Sequence, residues 1–202
     1  MDDIVKQALA KWPNVPDCYG WLGLDARGHW YLRDDAVQAA GAFPHSKGTL
    51  LQHDKLLAFI ARNYEHDDQG QWFFQNGPQR VYVELESAPW IWRLRCTEHG
   101  LQLSSHTGQE LAAEQVQHVL LDEQGRLFLA LPQGLGMVHS LDMLDAAEAL
   151  APLCSGMNVP ESPYVLELPN VLHLATDVTA VAHAGASFVV TPAVTESIAV
   201  AA

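Results

Sequence analysis

A chain of 202 residues, 49% apolar and 17% charged, has the composition of a folded globular protein. At this length roughly 70% of the unfolded surface is buried on folding, so no disulfide or metal staple is needed. The formal charge of −13 excludes nucleic acid and anionic membrane surfaces as general partners, since both are recognised by clustered Lys and Arg.

The spacing predicts a helix from Asp2 to Trp12, opened by Asp2 or Asp3, with Ile4, Val5, Ala8 and Trp12 on one face, and stopped by Pro13. A first hairpin follows over Trp21–Leu24 and His29–Arg33. Asp34 to Gly48 reads as irregular, with a helical turn at Asp35–Ala40. Thr49 to Tyr64 reads as a helix, capped by Thr49 and striped by Leu50, His53, Leu57, Ile60 and Tyr64. Strands are predicted at Gln71–Gln75, Arg80–Glu86, Trp90–Cys96 and Leu101–Ser105, with Asn76-Gly77-Pro78-Gln79 as the turn between the first two. In Arg80–Glu86, Val81, Val83 and Leu85 alternate with Tyr82, Glu84 and Glu86, the pattern of a half-buried strand. A further hairpin pairs Val116–Leu121 with Arg126–Leu131. A second helix is predicted over Ser140–Leu150, with Leu141, Leu144, Ala147 and Leu150 facing inward. Strand-like runs follow at Tyr164–Leu168, Val171–Ala175 and Ser187–Thr191, and the tail Ser197–Ala202 is expected to fray.

One short pattern occurs three times: Asp25-Ala26-Arg27-Gly28, Asp67-Asp68-Gln69-Gly70 and Asp122-Glu123-Gln124-Gly125, each followed by large apolar side chains. Asp opens a turn by accepting nearby backbone N–H groups, and Gly closes it in the left-handed region, so each copy reads as a hairpin tip. The fold class is therefore α+β: antiparallel hairpins and sheets with a repeated hairpin motif, packed with two or three helices. The chain reads as one compact domain over 1–202, with two related units of structure at about 1–96 and 97–202 as a further option.

Cys18, Cys96 and Cys154 are odd in number, far apart and without CxxC spacing, and the opening Met1-Asp2-Asp3-Ile4-Val5-Lys6 has no apolar leader. Both features predict a cytoplasmic protein with reduced thiols. The uncharged stretch between Asp177 and Glu196 is long enough to span a bilayer, but Thr179, His183, Gly185, Ser187, Thr191 and Pro192 suit a pair of strands better. All eleven cations lie between Lys6 and Arg126. The cation-free segment Leu127–Ala202 is either a plain acidic surface or one that packs against cations.

The stretches Lys11-Trp12-Pro13-Asn14-Val15-Pro16, Tyr19-Gly20-Trp21-Leu22, Phe59-Ile60-Ala61-Arg62-Asn63-Tyr64 and Trp72 through Val81 resemble an uncharacterised proteobacterial family known only as a domain of unknown function. The resemblance spans about residues 1–150, with a looser echo at Phe188–Pro192. The helix, hairpin and strand order is more distantly similar to a second uncharacterised bacterial family, which has an α+β fold with repeated motifs and a suggested role in signalling. The resemblance implies fold and solubility and carries no catalytic residue.

For chemistry, His45, His53, His66, Asp67 and Asp68 cluster in sequence, yet no HExxH or HxH spacing occurs, so no metal or cofactor is expected. No GxSxG elbow accompanies the serines, and Gly134-Leu135-Gly136 lacks the third glycine of a nucleotide loop. Arg80, Arg93 and Arg95 are predicted on neighbouring strands, where they would either hold a small anion or pair with Glu84 and Glu86. A ligand site, if built there, would use Asn76, Arg80 and Arg93 with Trp90 or Trp92 as its wall, and Arg62 would join it or stabilise its own helix end. Trp90 and Trp92 otherwise read as core. The function expected is a non-catalytic small-ligand-binding or regulatory module, with a small anion as ligand and a protein partner or homodimer as further options. The alternatives are an orphan metal-dependent hydrolase using the His45–Asp68 region and an assembly factor.

Overall fold

The structure, a computed structural model, describes residues 1–97, 100–116, 118–121, 124–146 and 192. The strand runs expected at 164–168, 171–175 and 187–191, the tail, Cys154, and Asp122 of the third repeat lie outside the described residues.

Among the described residues, twelve strands form two six-stranded sheets. The first contains β1 (Cys18–Leu24), β2 (Trp30–Leu32), β3 (Thr49–Leu50), β4 (Tyr64–His66), β5 (Trp72–Asn76) and β6 (Gln79–Leu85) in the order β3-β2-β1-β6-β5-β4. The second contains β7 (Trp90–Thr97), β8 (Gly100–Ser105), β9 (Glu110–Ala112), β10 (His118–Leu121), β11 (Leu127–Leu131) and β12 (Gly134–Val138) in the order β10-β11-β12-β7-β8-β9. Read backwards and shifted by six, the second order is the first. Each sheet is two antiparallel three-stranded meanders, joined at the centre where the first strand of one pairs in parallel with the last strand of the other. Leu22 lies opposite Val83 and Leu24 opposite Leu85 in the first sheet; Gly136 lies opposite Trp90 and Val138 opposite Trp92 in the second. The fold is α+β, with mixed rather than wholly antiparallel sheets. The parallel joins have no local signal, because the paired strands are separated by a whole meander.

The turn chemistry explains the hairpins. Asp25 N–H donates to the His29 carbonyl at 3.0 Å, Gly28 N–H donates back to the Asp25 carbonyl at 3.0 Å, and Asp25 Oδ1 accepts the N–H groups of Arg27 and His29, both at 2.9 Å. Asp67 repeats this with Gln69, Gly70 and Gln71. A fourth copy, hidden from the acidic pattern, uses a hydroxyl: Ser105 Oγ accepts the N–H groups of Thr107 and Gln109, and Gly108 N–H returns to the Ser105 carbonyl. Gly28, Gly70, Gly108 and Gly125 all have φ between +73° and +83°. At Gly28 the demand is also steric, since a Cβ there would stand 2.6 Å from His106 Cβ, where the hairpin tips of the two sheets meet.

The helices are α1 (Asp3–Lys11), α2 (Asp35–Ala40) and α3 (Asp54–Arg62). The helix expected over 49–64 is shorter at both ends. Thr49 and Leu50 instead pair with Leu32 and Tyr31 as an edge strand, the His53 ring accepts Leu56 N–H as N-cap, and Tyr64 begins β4. Leu50 and His53 satisfied a helical stripe by composition, but Leu50 lies in the edge strand, and the capping side chain is His53 in place of Thr49. Over 140–146 the face is also different, while Ala147 and Leu150 lie outside the described residues. A 3₁₀ turn over Ser140–Asp142, capped by His139, leads into helical residues 143–146, with Asp142 and Ala146 buried and Leu141 and Leu144 about three-quarters exposed. Among the described residues, no helix is long and apolar enough to cross a membrane.

One core runs through both sheets. Leu22, Leu24, Trp30, Val83 and Leu85 from the first meet Trp90, Ile91, Trp92, Leu103 and Phe128 from the second, with Ile60 of α3 packed against them. On the other face of the first sheet, Arg33 is 2% exposed and anchors the irregular segment 33–48. Its guanidinium donates to the carbonyls of Gly20, Gly41 and Ser46 and pairs with Glu84, so four of its five N–H groups have partners.

Candidate functional site

The residues expected to form a ligand site are separated by the fold. Asn76 and Arg80 lie at one end of the β5–β6 hairpin, in the first sheet; Trp90 and Arg93 lie on β7, in the second. The neighbours of β6 are β1 and β5, and those of β7 are β12 and β8, so Arg80 and Arg93 do not lie on adjacent strands. The reason is the connection Ser87-Ala88-Pro89, all three residues of which are buried. It carries the chain into the second sheet instead of turning it back along β6, whose free edge β1 already occupies.

Each side chain has other work. Arg80 lies over the Phe73 ring at 4.7 Å, and Asn76 is exposed. Trp90 is 4% exposed in the core, with Nε1 donating to the Gln133 carbonyl at 3.1 Å. Arg93 closes on Asp142 through two bonds of 2.6 and 2.9 Å. Glu84 and Glu86 pair with Arg33 and Lys47, so the alternative ladder with Arg80 and Arg93 is not formed either. Arg62 bonds Asp2 at the start of α1 and the Ala58 carbonyl in its own last turn. His53 caps α3, and the His66 ring sits 5.1 Å from Trp72. Among the described residues, no three His, Cys, Asp or Glu side chains come together as metal ligands.

A different cleft, of about 330 Å³, opens at the seam of the two sheets. The tip of the first hairpin brings Asp25, Ala26 and Arg27; the end of the irregular segment brings Lys47; and the connection after β6 brings Glu86. The second sheet contributes Gln124 and Arg126 from the third hairpin tip and Met137, Val138, Ser140 and Met143 from the end of β12 and the turn beyond it. The volume is at the small end of the range for ligand pockets.

The charges are arranged rather than scattered. Lys47 Nζ bridges Glu86 at 2.7 Å and Asp25 at 3.3 Å. Asp25 is 3% exposed; burial alone would raise its pKa, but the His29 and Arg27 amides and the Lys47 ammonium outweigh this and hold it below the usual carboxylate range. Its Oδ2 also accepts the Tyr31 hydroxyl at 3.2 Å. Burial likewise pulls Lys47 down, and Glu86 and Asp25 more than restore it. Glu86 additionally accepts Ala26 N–H at 3.2 Å, tying the connection to the hairpin tip. Arg93 enters indirectly. Its pairing with Asp142, together with the Leu94 N–H bond to the same carboxylate, holds the 3₁₀ turn that carries Ser140 at the cleft wall. The nearest imidazole to Ser140 in sequence, His139, spends Nδ1 on Leu141 N–H, so the pair does not form a nucleophile and base.

Beside the seam, His106 is enclosed by Trp30, Tyr64 and Trp90, with ring centroids 5.6, 6.0 and 5.9 Å away. Its Nδ1 lies 3.3 Å from Ile91 N–H, while Nε2 is buried without a partner. Burial pushes its pKa down to about 3.

The signal for this cleft was present in the repeat. Asp25 and Gly125 belong to two copies of one turn pattern, and both tips border the cleft. Lys47 had no signal, because it lies in an irregular segment whose path is set by Arg33.

A family profile described as "Protein of unknown function (DUF2946)" matches residues 1–193. Among solved structures, the chain is similar to a DUF1285 family protein from Shewanella baltica OS155, at 18% identity and a TM-score of 0.44, over 64% of this chain and 91% of that one. It is also similar to a DUF1285 family protein from Silicibacter pomeroyi DSS-3, at 10% identity and a TM-score of 0.46, over 76% of this chain and 78% of that one. No curated protein matches. The chain belongs to the family of unknown function whose profile it matches over 1–193.

Proposed function

We propose that this family member is a non-catalytic small-molecule-binding module of the cytoplasm, with the seam cleft as its ligand site. The observation that carries the reading is the cleft itself: a cavity of about 330 Å³ built jointly by the two sheets, with an apolar floor and a fixed set of charges at its rim. A ligand there touches both hairpin tips, so binding energy would favour one arrangement of the sheets, which is how such a module could signal occupancy. The free thiol of Cys18 and the acidic surface accord with a reducing, soluble setting.

The test is thermal denaturation against a library of small metabolites, run on the wild type and on Ala26→Trp. Ala26 lines the cleft, and its backbone bond to Glu86 does not depend on its side chain. Compounds that raise the wild-type melting temperature and leave Ala26→Trp unmoved are the expected result. A library without a stabilising compound, or compounds acting equally on both proteins, would contradict the reading.

A further inference from the structure

We infer that the ligand of the seam cleft is an aliphatic α-amino acid, its carboxylate held by Arg27 and Ser140 and its ammonium by Glu86. The inference rests on the cleft being the ligand site, and it names the ligand's chemistry.

Three polar groups on the lining are open to a ligand. Among the described residues, the Arg27 guanidinium and the Ser140 hydroxyl have no hydrogen-bond partner, and both residues are exposed. Glu86 spends Oε2 on Ala26 N–H and Lys47 Nζ and keeps Oε1 free.

These groups form two sets of opposite sign. The bond from Ala26 N–H ties Glu86 to the hairpin tip beside Asp25 and Lys47. One ammonium there lies between two carboxylates, so this set keeps one net negative charge. Arg27 and Ser140 come to the same cleft from the two sheets. Burial, then the charges of Arg93, Arg27 and His29 working against that of Asp142, hold the His139 imidazole below its ordinary pKa. The Arg27 charge is thus felt at the residue before Ser140, on the side of the lining that offers only donors and a hydroxyl.

A ligand with a single charge would satisfy one set and leave the other without a partner. A zwitterion satisfies both. Its carboxylate takes paired N–H···O bonds from the guanidinium and a further one from the hydroxyl, and its ammonium donates to Glu86 Oε1. A cavity of about 330 Å³ suits the compact form of such a ligand, with both charges on one carbon. Ala26 and Met143, both half-buried on the lining, offer apolar surface to an aliphatic side chain.

The test is isothermal titration of the wild type, Arg27→Met, Glu86→Gln and Ala26→Trp with three probes. These are leucine, isocaproate, which is leucine without its ammonium, and isoamylamine, which is leucine without its carboxylate. Leucine should bind the wild type, with each analogue at least about tenfold weaker. Arg27→Met should weaken leucine at least about tenfold and leave isoamylamine unchanged. Glu86→Gln, whose amide oxygen still accepts Ala26 N–H, should weaken leucine at least about tenfold and leave isocaproate unchanged. Ala26→Trp should remove all binding. Either analogue binding as tightly as leucine, with both lost in Ala26→Trp, would overturn the zwitterion and leave the cleft as the site. Leucine binding unchanged in Arg27→Met or in Glu86→Gln would overturn the placing of its charges. Leucine binding unchanged in Ala26→Trp would overturn the cleft as the site. No binding by any of the three would overturn the inference, and the thermal screen with Ala26→Trp would still decide the cleft on its own.

Discussion

Lowering the pH should unfold this protein through one buried imidazole. The ring of His106 stands among Trp30, Tyr64 and Trp90; its Nδ1 accepts Ile91 N–H, so the neutral ring carries its hydrogen on the unpartnered Nε2, and a second proton would have to enter at Nδ1 against that N–H in a buried site. Its pKa falls from the ordinary 6.5 to about 3 on folding. A depressed histidine pKa means that the unfolded chain takes up the proton first. The stabilisation is therefore complete above pH 6.5 and is lost progressively as pH falls toward 3. At pH 5 the unfolded state is already protonated and the folded state is not, so the loss relative to pH 8 is about 2 kcal/mol. That figure depends on the unfolded pKa alone while the folded value stays well below 5. The assay is urea unfolding at pH 8 and pH 5 of the wild type and of His106→Asn, whose side-chain oxygen can still accept Ile91 N–H. The variant loses packing at both pH values, and the other titrating groups cancel in the difference. The wild type should lose about 2 kcal/mol more than the variant between the two pH values. Equal losses, or an NMR titration of the His106 ring in the folded protein with a midpoint near 6.5, would refute the reasoning.

Replacing Ser105 with Ala removes the acceptor of two turn N–H groups and should cost about 1–2 kcal/mol by thermal denaturation, whereas Ser105→Asp, which copies the other tips, should be close to neutral. A Cβ at Gly136 would collide with the Trp92 indole across the parallel join, so Gly136→Ala should lower stability by about 1–3 kcal/mol in urea unfolding. Arg93→Met leaves the nearly buried Asp142 with only the Leu94 amide, and at pH 7 should cost about 1–2 kcal/mol, discounted because Arg93 is half exposed. The Arg93 hydrogen bonds, reinforced by Leu94 N–H and working against burial, hold the Asp142 pKa below its usual 3.8. That stabilisation is therefore present above pH 3.8 and lost below it, and the deficit of Arg93→Met should shrink as pH falls through this range.

The hairpins were legible because their chemistry is local. An acidic residue, a glycine three positions on and an aromatic run suffice to place a turn, and at Asp25 and Asp67 the side chain makes the bonds the pattern implies. Ser105 escaped because a hydroxyl can do the same work without the acidic signature. The parallel joins were illegible because β1 meets β6, and β7 meets β12, only after a whole meander has folded. That single fact dispersed the expected arginine site: Arg80 and Arg93 are close in sequence and belong to different sheets. Leu141 and Leu144 satisfied a helical stripe by composition, yet the inward face is set by Asp142, which Arg93 and Leu94 N–H hold in place. The cleft needed five separate segments, and only the recurrence of the turn at Asp25 and Gly125 marked two of them as alike.

The most direct measurement is a map of backbone amide shifts in the folded protein as the compound that most raises the wild-type melting temperature is added. The account predicts saturable changes confined to the seam: Ala26 and Arg27, Lys47, Glu86, Arg126, and Met137 to Met143. Changes centred instead on Asn76 to Arg80, or shifts spread over the surface without saturation, would contradict it.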